Sequence, residues 1–185
     1  GLGDVYKRQP INEVQEVRNA LKAYELLDTL DPCKVDDLLK AHATMEVGLI
    51  DEIGCFRKGG AGVVSGKTVI HYAPDAERVP FLVNDLFEWL RTTDEHPLIA
   101  SCVFHYEFEF IHPFADGNGR AGRALVHLIL KKGGTTRVTV PPISLLLATD
   151  RERYIANLAA FRFEGDDETK RREAAVSYTH LRAHE

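Results

Sequence analysis

The sequence is poor in cysteine and methionine and has no long hydrophobic run. Its three cysteines, Cys33, Cys55 and Cys102, are odd in number, widely spaced and without a CxxC pair. That pattern suggests neither a disulfide framework nor a zinc site, and the three read as reduced packing residues. No apolar stretch reaches the roughly 20 residues a bilayer-spanning helix needs, and the N-terminus lacks the apolar segment of a secretory signal. A soluble, cytoplasmic chain with no membrane partner is expected. Positive charge is short as well, with 23 Lys and Arg against 28 Asp and Glu and a formal charge of -5. Nucleic-acid surfaces show as basic stripes, so any phosphate site must be local. DNA binding would need a module beyond this sequence. The only methionine is Met45, so no start residue is visible and the sequence reads as part of a longer reading frame. Residues 1–9 (GLGDVYKRQ) and 177–185 (SYTHLRAHE) read as adapter-derived, and 166–176 as the start of a C-terminal extension.

What remains is enough for one domain: 185 residues, 44% of them hydrophobic, support a single core. Val14, Val17, Leu21 and Tyr24 recur at helical spacing within Asn12 to Leu27, predicting an amphipathic helix whose stripe faces that core. Asp31 and Pro32 read as the cap and first turn of a second helix carrying Val35, Leu38, Leu39, His42 and Met45. There His42 reads as a core-edge histidine, with a ligand role the alternative. From Gly54 to Pro80, glycines punctuate Val63-Val64 and Thr68-Val69-Ile70, predicting a β-hairpin. Val79, Leu82, Val83, Leu86 and Leu90 mark a third helix. Pro97 opens a fourth with Leu98, Ile99, Cys102, Tyr106 and Phe110, apolar on more than one side and therefore central. Leu125, Leu128 and Ile129 define a fifth helix ending at Gly133-Gly134, and a last helix is expected from about Asp150 to Phe163. The fold class is all-α: a helical bundle around a central helix-loop-helix, with one small β-hairpin.

The chemistry concentrates in residues 112–123, HPFADGNGRAGR, between the fourth and fifth helices. A helix beginning near Asn118 points unpaired amides outward, an arrangement that binds anions. Gly117 and Gly119 let phosphate oxygens approach the backbone, while Arg120 and Arg123, three apart, share a helix face. Asp116 stands beside this polyphosphate cradle, where one carboxylate with phosphate oxygens and water is the usual way to hold magnesium. His112 is the group here able to take a proton near neutral pH. Taken singly these are ordinary turn, cap and surface residues. Together they match HxFx[DE]GNGRxxR at every fixed position, a coincidence expected about once in 10^10 starts at roughly 5% usage per residue.

That pattern is the signature of the Fic family, and residues 10–165 resemble a Fic domain in the helix before the motif, the hairpin, the HPL-initiated central helix and a final tyrosine-bearing helix. The resemblance implies a protein adenylyltransferase, which moves AMP from ATP onto a Ser, Thr or Tyr hydroxyl of a target protein and releases pyrophosphate. It implies His112 as general base and Phe114 as a buried support. Asp116 is implied as the Mg2+ ligand, Gly117, Asn118 and Gly119 as the anion hole, and Arg120 and Arg123 as the phosphate arginines. The hairpin becomes a flap on which a target segment adds as a strand along Thr68, Val69, Ile70, His71 and Tyr72; a plain stabilising hairpin is the alternative. Tyr154 matches a position that contacts the adenosine, with a core tyrosine as the alternative. Doc-type relatives, which phosphorylate instead, resemble GNKR where this chain has GNGR, so AMP transfer is favoured over kinase action.

Many Fic proteins carry an inhibitory helix, [ST]xxxE[GN], whose glutamate pairs with the motif's second arginine, here Arg123. No complete match is present: Glu164-Gly165 follows Ala160, and Thr169 with Glu173 is followed by Ala174. The expectation is that the switch belongs to an absent N-terminal segment or to a separate antitoxin, and that Arg123 lacks an acidic partner. A toxin-like protein and a homodimer also fit the family. Two rival functions remain: a Fic hydrolase that removes AMP, and a non-catalytic nucleotide-binding or scaffold part of a larger regulator.

Overall fold

The computed structural model describes residues 2–65, 68–135 and 153–154, and side chains outside 2–12 and 63–71. Five helices and one hairpin follow in order: α1 (Leu2–Leu27), α2 (Val35–Glu46), β1 (Gly62–Ser65), β2 (Thr68–Tyr72), a 3-10 turn (Ala76–Arg78), α3 (Val79–Thr92), α4 (Pro97–Ile111) and α5 (Asn118–Lys132). The expected all-α bundle with a small hairpin is what forms. The expected final helix lies outside the described residues apart from Arg153 and Tyr154, which are helical.

Helix α5 separates two apolar clusters. On one side Leu125 and Ile129 pack with Val79, Val83 and Phe87 of α3 and Phe104 and Phe108 of α4. On the other, Ala124 and Leu128 pack with Ala23 and Leu27 of α1 and Ala41 and Met45 of α2. Helix α4 is central, as its apolar surroundings predict, but its buried side is Phe104, His105, Phe108 and Ile111, while Phe110 is 40% exposed. Its start is set by Pro97 in the first turn and by His96, whose Nδ1 accepts from the Leu98 N–H at 3.2 Å.

Two boundary expectations are corrected. Helix α1 runs back to Leu2, and its stripe meets the core only at Tyr24, while Val14, Val17 and Leu21 are 51%, 61% and 62% exposed. Asn19, Ala23 and Leu27 turn inward instead. Ala23 lets α1 approach α2 closely. The buried Asn19 amide donates to Met45 O (2.9 Å) and Val47 O (2.8 Å), satisfying carbonyls that the end of α2 leaves open. A polar residue with two backbone partners outcompeted the apolar stripe for the buried face. Helix α2 opens at Val35, not at Asp31. The Asp31 side chain accepts from Cys33 N–H at 2.9 Å, closing a local turn before the helix. Of the cysteines, only Cys102 is buried; Cys33 is half-buried and Cys55 is exposed, so Cys55 is not the buried packing residue expected.

The hairpin is antiparallel, with Gly62 opposite Tyr72 and Ser65 opposite Thr68, and an irregularity between Val63 and Val64. Its sheet has two strands, so among the described residues the outer edge of β2 faces no further strand.

Candidate active site

Helix α4 stops at His112, whose φ of 49° and ψ of 62° place it in the left-handed region. Among the described non-glycine residues it alone has positive φ. Such a conformation costs roughly 1–2 kcal/mol, and here it turns the chain from α4 into the loop. Arg57 holds the turn. That residue is 4% exposed, and its Nε donates to His112 O at 2.7 Å, its Nη2 to Ile111 O at 3.3 Å, and its own N–H to Pro113 O at 2.9 Å. The same guanidinium donates to Gly59 O at 2.7 Å and to Pro74 O. One buried cation thus ties the histidine turn to the segments flanking the hairpin. Sequence reading missed it, because an arginine among glycines carries no periodic signal.

The loop closes on itself before α5 begins. Asn118 Nδ2 donates to Phe114 O at 2.9 Å, and Phe114 N–H donates to Asn118 Oδ1 at 2.8 Å. The Asn118 side chain is therefore committed to the loop, and only its backbone faces the cradle. Phe114 is fully buried, as expected, and stacks on His42 with centroids 3.7 Å apart and planes 6° from parallel. His42 is a core residue with a task. Its Nδ1 accepts from Gly54 N–H at 3.1 Å, so Nε2 carries the hydrogen and donates to Asp116 O at 3.0 Å. Burial lowers its pKa first, with Arg120 acting the same way and Asp116 opposing, which keeps the ring neutral as this tautomer requires.

Gly117, with φ of 78°, forms the N-cap of α5. No side chain fits there, since a Cβ would come within 2.2 Å of Glu46 Oε1. Asp116 is 68% exposed and its Oδ1 accepts from the Gly117 N–H at 2.6 Å. Arg120, in the first turn of α5, donates through Nη2 to Glu46 at 2.7 Å and through Nη1 to Glu16 of α1 at 2.6 Å. Arg123 lies along Gly119, where a Cβ would meet its Nη1 at 2.8 Å. The two arginines therefore flank the helix start, one leaning on α1 and α2, the other over Gly119.

The expectation that Arg123 lacks an acidic partner is corrected. Glu109 of α4 lies in its field: burial raises the Glu109 pKa to about 7 while Arg123 pulls it down. Beside it, burial first and Arg123 second lower the His105 pKa to about 3. The buried Glu109 Oε1 and His105 Nδ1 both take no hydrogen bond and both face Gly122, where a Cβ would meet them at 3.0 and 3.1 Å. The Tyr154 hydroxyl sits 2.9 Å from His105 Nε2, which pins its ring against α4. Glu46 and Glu109 were legible only as acids on otherwise apolar helix faces, a pattern that passes for surface charge until the packing is known.

The arrangement joins a histidine at a helix end to the amide end of the next helix, with a carboxylate between them and two arginines at its sides. Among the described residues no group of three metal-binding side chains occurs. Asp116, exposed and with one oxygen turned to Gly117, offers the single carboxylate that a cation arriving with phosphate oxygens would use. None of the helices among the described residues is long and apolar enough to cross a membrane.

Known proteins share this frame. Protein adenylyltransferase fic-1 of Caenorhabditis elegans is 31% identical over 140 residues, 71% of this chain and 26% of the relative. Protein adenylyltransferase Fic of Aedes aegypti is 30% identical over 162 residues, 84% of this chain and 30% of the relative. The chain thus spans about a quarter to a third of the curated relatives it matches. A Fic family protein of Desulfovibrio desulfuricans superposes with a TM-score of 0.78 at 42% identity, covering 92% of this chain and 55% of that one. A Bacteroides thetaiotaomicron protein at 20% identity shares the fold, with a TM-score of 0.76. The family model described as Fic/DOC matches residues 32–130, which take in Arg57, the hairpin and the whole loop from His112 to Arg123, and the chain belongs to that family.

Proposed function

We propose that the chain is a protein adenylyltransferase: it transfers AMP from ATP to a hydroxyl of a target protein and releases pyrophosphate. The observation that carries this reading is the placement of His112 at the end of α4, one loop away from the amide-lined start of α5 and its two arginines. The His112 ring takes the proton of the target hydroxyl, and that oxygen attacks the α-phosphorus. A new P–O bond forms as the bond to the bridging oxygen breaks, and pyrophosphate leaves with that electron pair. The Asn118 and Gly119 amides donate to phosphate oxygens, and Gly117, whose own N–H is held by Asp116 Oδ1, leaves room for them to approach. Arg120 and Arg123 offset the charge of the outer phosphates, which is where phosphoryl-type transfer gains most. Asp116 would hold Mg2+, which supplies charge neutralisation at the phosphates when bound. Tyr154 is assigned to the adenosine side. The β2 strand, Thr68 to Tyr72, is the docking edge for an extended target segment; the exposure of Tyr72 (78%) supports it.

ATP labelled at the α or the γ position tests the reaction, with His112→Ala beside the wild type. Label is expected from the α position only and to vanish in the variant. Label from the γ position alone would mean kinase action, and none from either would leave AMP removal or a binding role.

A further inference from the structure

Helix α2 ends on an acid where its buried face calls for an apolar residue. Glu46 has no exposed surface, and it shares that face with Leu38, Ala41, His42 and Met45. Its Oε2 accepts from Arg120 Nη2 at 2.7 Å. Its Oε1 is sealed from solvent and takes no hydrogen bond, lying directly against Gly117. Arg120 has two other acidic neighbours, but they differ in kind. Glu16 is half exposed on α1 at 2.6 Å, and Asp116 Oδ1 is exposed at 4.0 Å. Exposed pairs are screened by salt and exchange with water, whereas Glu46 cannot turn to another partner.

We propose that Glu46 is a positioning residue for AMP transfer: from beneath Gly117 its carboxylate fixes the Arg120 guanidinium at the mouth of the phosphate turn before nucleotide arrives. The inference rests on the proposed use of Arg120 as a phosphate ligand. A buried ion pair contributes little stability compared with an apolar pair of the same volume. What it does supply is geometry, because a long, freely rotating side chain held in place loses less freedom when a phosphate engages it. The charge of Glu46 works the other way, since it repels polyphosphate. The sign of the effect therefore separates the two roles.

The full chain is titrated with Mg-ATP by calorimetry as wild type, Glu46→Met, Glu46→Gln, Arg120→Ala and the Glu46→Met, Arg120→Ala double variant. Methionine keeps the volume without an acceptor, so its melt is expected at or above the wild-type temperature while Kd rises about tenfold. Glutamine still accepts from Nη2 and stays within about threefold of wild type. On the Arg120→Ala background, Glu46→Met adds nothing, because its influence runs through that arginine. In AMP transfer, KM for ATP follows Kd while kcat changes less than about twofold, as for an interaction made alike in ground and transition states. If Glu46→Met loses its cooperative melt, Glu46→Asp, one methylene too short to reach Arg120, reads the same quantity. A methionine variant that binds Mg-ATP as well as or better than wild type, or whose loss adds to that of Arg120→Ala, overturns the proposal. Wild type that binds Mg-ATP but transfers no AMP sinks the proposed reaction and leaves the positioning role standing. Wild type that binds none overturns both.

Discussion

Replacing Arg57 by alanine removes the donor that holds the His112 turn. Four carbonyls, those of His112, Ile111, Gly59 and Pro74, lose a charged partner at once. Hydrogen bonds to charged groups contribute about 1.5–3 kcal/mol each, but the terms are not additive, and the Gly59 and Pro74 carbonyls can turn to water. Counting two of them in full gives about 3–6 kcal/mol, a range that contains the roughly 3–5 kcal/mol expected for breaking a buried charged network. For a chain of this size that lowers Tm by roughly 6–20 °C. The left-handed turn at His112, now unsupported, relaxes. A displacement of about 1 Å at the base costs about 100-fold in rate. The cradle on α5 is untouched, so kcat should fall while KM for ATP holds. Lysine should restore little, since it cannot present the planar fork that reaches both sides of the turn. Thermal melts and α-labelled transfer, assayed well below the variant's melting range, read both effects. An alanine variant that melts with wild type, or that transfers within twofold of it, refutes the account.

Other substitutions test neighbouring claims. Gly117→Ala forces a left-handed alanine against the Glu46 carboxylate, and a loss of about 1–3 kcal/mol together with weakened Mg-ATP binding is expected in melts and calorimetry. Burial holds the Glu109 proton up to about pH 7 in the folded chain, well above the ordinary glutamate value of 4.5. The folded state therefore binds the extra proton across that window, so stability from this group is present at low pH and is lost as pH rises through 7, by up to about 3 kcal/mol. Glu109→Gln should match wild type near pH 4.5 and exceed it at pH 8, while His105, present in both, cancels. A stability difference that does not change with pH would refute the shift.

The fold was legible wherever one periodicity dominated. Helix α3 buries Val79, Val83 and Leu86 as its spacing predicts, and α5 starts at Asn118 and ends before Gly133-Gly134. Helix α1 was misread, because Val14, Val17 and Leu21 form a better stripe than Asn19, Ala23 and Leu27, and nothing in the sequence reveals that two carbonyls of α2 await the Asn19 amide. The loop itself was readable as chemistry, since its residues are contiguous. Its supports were not: Arg57, Glu46, Glu16 and His42 reach it from other segments, and only the fold brings them together.

Helix α5 packs on both of its sides, with Leu125 and Ile129 in one cluster and Ala124 and Leu128 in the other. An element gripped in this way opens to solvent only when both clusters come apart, so its interior amides should exchange hydrogen at the rate of global unfolding. The loop from His112 to Gly117 runs straight into this helix, so the proposed phosphate contacts lie at the end of the element that opens last.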